Sequence, residues 1–314
     1  MSIAQPPLIV ILGPTASGKS ELAIKLAKFF NGEIISADSR QVYKEMNIAT
    51  NKIQDTKQIP HYLIDAVKPN QIFTAANFKQ KAINIIKKIQ KRGKIPFLVG
   101  GTGLYISAVA DNLEIPQIPP DEKLRKKLEK DIEKYGVKKA YQKLLKLDPQ
   151  AKNFVQEKNS RRIIRALEIC LITGKKFSEL RKRGKSLFNV LQIGIKIPRK
   201  TLYKKINQRV EKMIKDGLVD EVKNLAKKYP FALPSMSGIG YKQIGKYLKK
   251  EISLDDAIEL IKRDTRRYVG KQMSWFKKHP SPEQIQQREC KKIKWIKKYP
   301  EARNIIKDFL SKAQ

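Results

Sequence analysis

Eight residues near the amino terminus have the types and spacing of a phosphate-binding loop. Gly13-Pro14-Thr15-Ala16-Ser17-Gly18-Lys19-Ser20 follows the apolar run Pro7–Leu12 and precedes a helical pattern from Glu21 to Phe30. Its glycines let the backbone curl so that N–H groups turn inward, and the helix start adds its dipole. Lys19 brings a point charge to a diphosphate or triphosphate, and the Ser20 hydroxyl is placed to ligate Mg²⁺. The spacing does not say which phosphate compound binds. Asp38 ends a second apolar run, Gly32–Ser39, and Thr102 sits in Gly100-Gly101-Thr102-Gly103 at the end of a third. Ligands of doubly wound sheets bind outside the carboxyl ends of the strands, so both residues are expected to face the phosphate loop. Asp38 there suits either an Mg²⁺-associated carboxylate or a general base. Thr102 suits a donor to a phosphate or leaving-group oxygen.

The elements that must position these residues are readable from periodicity. Pro7–Leu12, Gly32–Ser39 and the run from Lys94 into the glycine turn read as buried strands. Phe73–Gly93 reads as an amphipathic helix with Thr74 as its N-cap and Gly93 as its stop. Alternating strands and helices predict a P-loop NTPase-like α/β core with a parallel sheet. The texture changes at Pro116, Pro119 and Pro120, and a helical pattern then runs to about 187 before Val190–Pro198 restores a strand. The expected organisation is a core in residues 1–118, a helical insertion in 119–187, and the rest of the core with carboxyl-terminal helices in 188–314.

Of the 314 residues 41% are hydrophobic, enough for a sizeable core, and no apolar run is long enough to span a bilayer. Leu8–Leu12 is too short for a signal segment. A soluble protein of the cytoplasm, without membrane association, is expected. Cys170 and Cys290 cannot build a disulfide framework or a zinc site by themselves, and Cys170 lies in an apolar helical run as a small hydrophobe would. His61 and His279 have no metal-ligand partner at a useful spacing.

The net charge of +37 favours a polyanionic partner, although lysine-coated helix faces account for much of it. Residues 1–50 hold 5 basic and 4 acidic side chains, whereas residues 151–200 hold 14 and 3. Five of the 15 arginines lie between Arg161 and Arg183, and three more are Arg263, Arg266 and Arg267. Arg161 and Arg165 share a helix face, and guanidinium suits bidentate phosphate contacts. The insertion is therefore expected to grip a phosphate backbone.

The set GPTASGKS, ISADSRQVYKEMNIAT, HYLIDAV, FLVGGTGLYISA, SRRIIRALEI, INQRVEKMIKDGLVDEV, SGIGYKQIGKYL and TRRYVGKQMSWFKK resembles the bacterial tRNA dimethylallyltransferase (IPP transferase) family. The match keeps the family's order from about residue 8 to 278. The resemblance implies transfer of the dimethylallyl group from dimethylallyl diphosphate to N6 of the adenosine 3′ of the anticodon, position 37, in tRNAs reading codons that begin with U. By motif, it implies that Asp38 is the base on N6, that Thr102 lies near the reaction centre, and that Gly13 to Ser20, with Lys19, cradle the diphosphate beside Arg209. It assigns tRNA contacts to Asp38, Ser39, Arg40, Gln41, Thr102, Arg125, Arg161, Arg162 and Arg165. It assigns further contacts to Gly238, Ile239, Gly240, Tyr241, Lys242 and Gln243. The implied partners are the anticodon stem-loop, the prenyl donor and Mg²⁺, acting on a monomer. Arg40 fills a slot that is small or apolar in the family, and Glu45, Asn47 and Ala49 depart from its glycine-richer loop. The alternatives are an adenylate dimethylallyltransferase using free AMP, ADP or ATP, a phosphate-loop kinase, and a non-catalytic RNA-binding protein.

Overall fold

The computed structural model describes residues 5–53, 59–116, 118–180, 184–278 and 293–312, so Arg181, Arg183, His279 and Cys290 lie outside the described residues. In chain order the elements begin β1 (Pro7–Leu12), α1 (Lys19–Phe29), β2 (Gly32–Ala37), β3 (His61–Tyr62), α2 (Ala75–Lys91), β4 (Ile95–Gly100) and α3 (Gly103–Ala110). They continue with α4 (Glu122–Tyr135), α5 (Val137–Leu147), α6 (Ser160–Thr173), β5 (Asn189–Ile195), α7 (Arg199–Lys215), α8 (Leu218–Ala226) and α9 (Tyr241–Leu248). The last are α10 (Leu254–Lys278), β6 (Lys294–Ile296) and α11 (Tyr299–Ser311). Two compact units result, one of residues 1–111 with 186–314 and one of 112–185, where the sequence suggested an insertion of 119–187.

The first unit is built on a six-stranded sheet in the order β3-β2-β4-β1-β5-β6, with every pair parallel. The central strands β1 and β4 are apolar throughout because helices cover both faces. Leu8, Val10 and Leu12 pack with Phe78 and Ile86 of α2 and Tyr105 and Ile106 of α3. Ile9 and Ile11 pack on the opposite side with Ala23 and Leu26 of α1 and Ala302 and Ile306 of α11. Thr74 caps α2 as expected: its hydroxyl accepts from Asn77 N–H at 3.1 Å, and Asn77 returns an acceptor to Thr74 N–H at 3.0 Å.

Register determines which loops meet. Leu12 pairs with Gly100, and Gly100 pairs with Ala37, so β1, β4 and β2 end abreast. The phosphate loop, the Gly101–Gly103 turn and the loop opening at Asp38 therefore leave the sheet side by side. A further apolar cluster joins Val42, Tyr43 and Met46 of that last loop to α7, α8, α9 and α10. In the second unit, α4, α5 and α6 bury Leu128, Leu144, Ile163, Leu167 and Cys170 around a core of their own. Among the described residues, no helix is long and apolar enough to cross a membrane.

Candidate active site

The loop after β1 turns back on itself before α1 begins. Ala16 and Gly18 have φ of 63° and 84°, the left-handed values that let successive N–H groups line a concavity. Ser17 N–H bonds to the Pro14 carbonyl at 3.3 Å, and Lys19 Nζ folds back to the same carbonyl at 3.4 Å. The Ser17 hydroxyl is buried with no hydrogen-bond partner among the described residues, so the loop holds an unspent polar group.

A cleft of about 530 Å³, open to solvent, lies beside this loop. Its wall includes Thr15, Lys19 and Ser20, then Ser36, Asp38 and Gln41, then Arg209 of α7. Burial lowers Lys19 to a pKa of about 8; Asp38 opposes the shift and Arg209 adds to it. Burial also lowers Arg209, again opposed by Asp38. Two cations sharing one carboxylate in a confined space favour an anionic ligand of more than one charge.

Asp38 follows β2 and shapes its own loop. Its Oδ1 accepts from Arg40 N–H at 2.8 Å and Gln41 N–H at 3.4 Å. Thr102 holds this loop against the glycine turn: its Oγ1 accepts from Ser39 N–H at 3.0 Å, and its N–H donates to the Ala37 carbonyl at 3.1 Å. Phosphate loop, carboxylate and threonine are thus brought to one edge of the sheet. Gln41 is pinned by Ser36 Oγ at 2.9 Å and by its own bonds to the Thr50 and Asn51 carbonyls at 3.2 Å.

Sequence reasoning passed over two of the side chains here. His61 of β3, on the cleft wall, donates through Nδ1 to the Ile59 carbonyl at 2.7 Å, which leaves Nε2 buried and without a partner among the described residues. Burial holds this histidine below its ordinary pKa. Gln272 of α10 bonds to the phosphate loop and to the glycine turn. It stands one helical turn after Tyr268 in TRRYVGKQMSWFKK, and a polar residue on the buried stripe of that helix is the signal that could have found it.

The segments expected to touch a nucleic acid fare differently from one another. The Arg40 guanidinium bonds to the Pro234 and Ser235 carbonyls at 2.7 and 3.2 Å and to Ser237 Oγ at 3.3 Å, so it braces the Asp38 loop against the turn before α9. The unusual arginine at that slot has a local structural job. Gly238, Gly240, Tyr241 and Gln243 are buried, Ile239 is half-buried and Lys242 is exposed. Tyr241 donates to Glu221 at 2.8 Å, while Gln243 accepts from Gly240 N–H at 2.9 Å and donates to Asp264 at 2.8 Å. In α10, Arg266 donates to Asn207 at 2.9 Å, and Arg263 pairs with Asp264 at 3.2 Å.

In the second unit, Glu168 is fully buried and collects two of the expected contact residues. Arg125 grips it with Nε and Nη2, both at 2.8 Å, Arg165 reaches it at 2.6 Å, and Asp121 N–H adds a bond at 2.8 Å. Arg165 also bonds to the Ile118 carbonyl at 2.9 Å. Burial acts to raise the Glu168 carboxyl, but the two guanidiniums and the N–H outweigh it and hold it low. Arg161 is exposed and makes no ion pair among the described residues, and Arg162 is exposed with a bond to the Phe154 carbonyl at 3.4 Å. Glu168→Gln is expected to cost about 3 kcal/mol, because two partly buried guanidiniums lose their counter-charge. Thermal unfolding measures this. The wild-type contribution is present above the ordinary carboxylate range and is lost as pH falls through the lowered value. A Glu168→Gln variant as stable as the wild type at pH 7 would dismiss the cluster as a stabilising device.

Comparison with known proteins finds relatives along most of the chain. The profile of the IPP transferase family matches residues 41–279. A tRNA dimethylallyltransferase of Halothermothrix orenii is 46% identical over 278 residues, covering 86% of this chain and 84% of its own. The crystal structure of a full-length tRNA isopentenylpyrophosphate transferase from Bacillus halodurans superimposes with a TM-score of 0.72 at 38% identity, covering 98% of both chains. A eukaryotic dimethylallyltransferase acting on tRNA gives a TM-score of 0.78 at 30% identity, over 98% of this chain and 80% of that one.

Proposed function

Because this chain belongs to the IPP transferase family, we propose that it transfers the dimethylallyl group of dimethylallyl diphosphate to N6 of the adenosine at tRNA position 37, in tRNAs reading codons that begin with U, and releases diphosphate. The observation that supports this reading best is the shared cleft, where an anion cradle with Lys19 and Arg209 adjoins the Asp38 carboxylate. A kinase can also pair a phosphate cradle with a carboxylate, so the family relationship is what favours prenyl transfer over phosphoryl transfer. The family relationship favours tRNA over a free adenylate as the acceptor.

The exocyclic N6 amine is a weak nucleophile because its lone pair is delocalised into the ring. Transfer therefore needs alignment, a stabilised leaving group and removal of a proton. The loop N–H groups, Lys19 and Arg209 stabilise the departing diphosphate. Asp38 holds N6 and accepts its proton, and Thr102 lies beside that exchange, tied to the Asp38 loop through Ser39. The adenine leaves the anticodon-loop stack to reach them. The Ser20 hydroxyl puts a hard oxygen donor on the cleft wall beside the phosphate loop, which suits Mg²⁺, an ion that keeps few protein ligands beside substrate phosphates. Bound there, the ion would neutralise charge on the diphosphate. The chain acts as a monomer in the cytoplasm.

Labelled dimethylallyl diphosphate offered with tRNA, AMP and ADP in parallel tests the reading. Label is expected on tRNA alone. Label on AMP or ADP, or phosphoryl transfer from ATP, would overturn it. The second unit supplies a phosphate grip through Arg161 and Arg162, while Arg125 and Arg165 are engaged by Glu168, which ties α4 to α6. Arg161→Ala is expected to raise KM for tRNA and leave KM for the donor unchanged. The slope of log K against log salt should shrink by about 0.7–0.9, the value for one lost phosphate contact. An unchanged slope would remove Arg161 from the interface.

A further inference from the structure

The hydrogen bonds that hold two of the reactive loops converge on a single side chain of α10. Gln272 is 5% exposed. Its Oε1 accepts from the Thr15 backbone N–H at 3.0 Å, and its Nε2 donates to the Gly101 carbonyl at 2.9 Å. One carboxamide therefore ties the phosphate loop to the glycine turn that carries Thr102. Tyr268 stands one turn earlier on the same helix, and burial pushes its phenol up to about 12. The packing leaves no slack. A Cβ on Gly101 would lie 2.3 Å from Gln272 Nε2, and one on Gly103 would lie 2.2 Å from the Trp275 ring. These two glycines make room for α10.

We propose that Gln272 is a positioning residue. It sets the separation between the diphosphate cradle and the Asp38–Thr102 end of the cleft, so that the allylic carbon and the acceptor nitrogen meet within reacting distance. The inference rests on the prenyl-transfer reading. Its chemical basis is that a carboxamide of this length is neutral and carries a donor and an acceptor at once. A leucine of similar size would orphan both the Thr15 N–H and the Gly101 carbonyl, each a costly loss in a buried place. An ionised glutamate would keep the bond from Thr15 and set a carboxylate oxygen against the Gly101 carbonyl. A protonated glutamate would restore both bonds. Gln272 also consumes the Thr15 N–H, so that group is unavailable to the ligand and the remaining N–H groups of the loop form the cradle.

The test is the ratio of variant to wild-type kcat across pH. Gln272→Glu is expected to lose roughly 10²-fold in kcat near pH 8, the cost of a misplacement of about 1 Å, with a much smaller change in KM for dimethylallyl diphosphate. Burial and the facing carbonyl raise the introduced carboxyl, so the ratio should climb as pH falls toward about 5.5. Gln272→Leu should stay low at every pH. The ionisable groups bearing on this corner are Tyr268 on α10, Asp38 and Arg40 after β2, and Lys19 and Arg209 across the cleft. Wild type and variant share them, so the ratio isolates position 272. A pH-independent ratio, or an unchanged kcat in the folded variant, would reduce Gln272 to a packing residue. If the leucine variant does not fold, the glutamate profile decides alone. The Tm of each protein is read in parallel. If wild type fails to prenylate tRNA, the function reading falls. The clamp is then judged on stability alone: Gln272→Glu should melt below wild type near pH 8 and close that gap as pH falls, and a pH-independent gap or none would overturn it.

Discussion

Asp38→Asn is expected to slow prenyl transfer by roughly 10²–10⁴-fold, the usual worth of a positioned proton acceptor. The substitution discriminates because asparagine keeps a carbonyl oxygen where Oδ1 receives Arg40 N–H at 2.8 Å and Gln41 N–H at 3.4 Å. The loop survives, and with it the bond from Ser39 to Thr102 and the brace from Arg40 to residues 234–237. What disappears is the negative charge and the ability to take a proton. Binding of tRNA should change little. One side effect is expected: Asp38 is the carboxylate that raises both Lys19 and Arg209, so its loss lowers Lys19 further below about 8. Donor binding must therefore be measured separately, at or below neutral pH. Single-turnover transfer with saturating donor reads the base role directly, and near-normal rates would remove Asp38 from it.

Lys19→Ala should lower kcat by about 10²–10³-fold, the range for loss of one group that stabilises a developing anion, and should weaken donor binding. Its ammonium lies in the cleft with Asp38 and Arg209, so it meets the charge that grows on the leaving diphosphate. The lowered pKa of about 8 gives this prediction a second readout. Below that value the free enzyme presents a charged lysine; above it the lysine is neutral until the ligand's negative charge draws a proton back. Pyrophosphate affinity should thus fall by about tenfold per pH unit above the pKa, and binding there should take up a proton. Lys19→Ala should be weak throughout and lack that step. Calorimetry in buffers of different ionisation enthalpy measures the proton. A wild-type affinity that stays flat from pH 7 to 9 would contradict the assignment.

Much of the site was legible before any coordinates. Gly13–Ser20 carries its chemistry in residue order, because the curl of the loop, the helix dipole and the lysine are all local. Asp38 and Thr102 were legible for a related reason: each ends an apolar run, and strand ends of a parallel sheet share one edge. The parallel core itself followed from alternating runs and amphipathic helices. β3 and β6 escaped because two or three residues carry no measurable period.

What the sequence could not decide was which groups meet across long separations. An arginine in a helix reads the same whether it faces solvent or a buried acid. Arg125 and Glu168 are 43 positions apart, and only the packing of α4 on α6 turns that guanidinium onto a carboxylate. Thr15 and Gln272 are 257 positions apart, and their bond exists because β4 lies between β1 and β2 while α10 packs on the turn that follows β4. Local spacing thus determined the reactive groups. Their alignment rests on contacts between distant segments, each buried polar group finding its partner only where the tertiary fold excludes water.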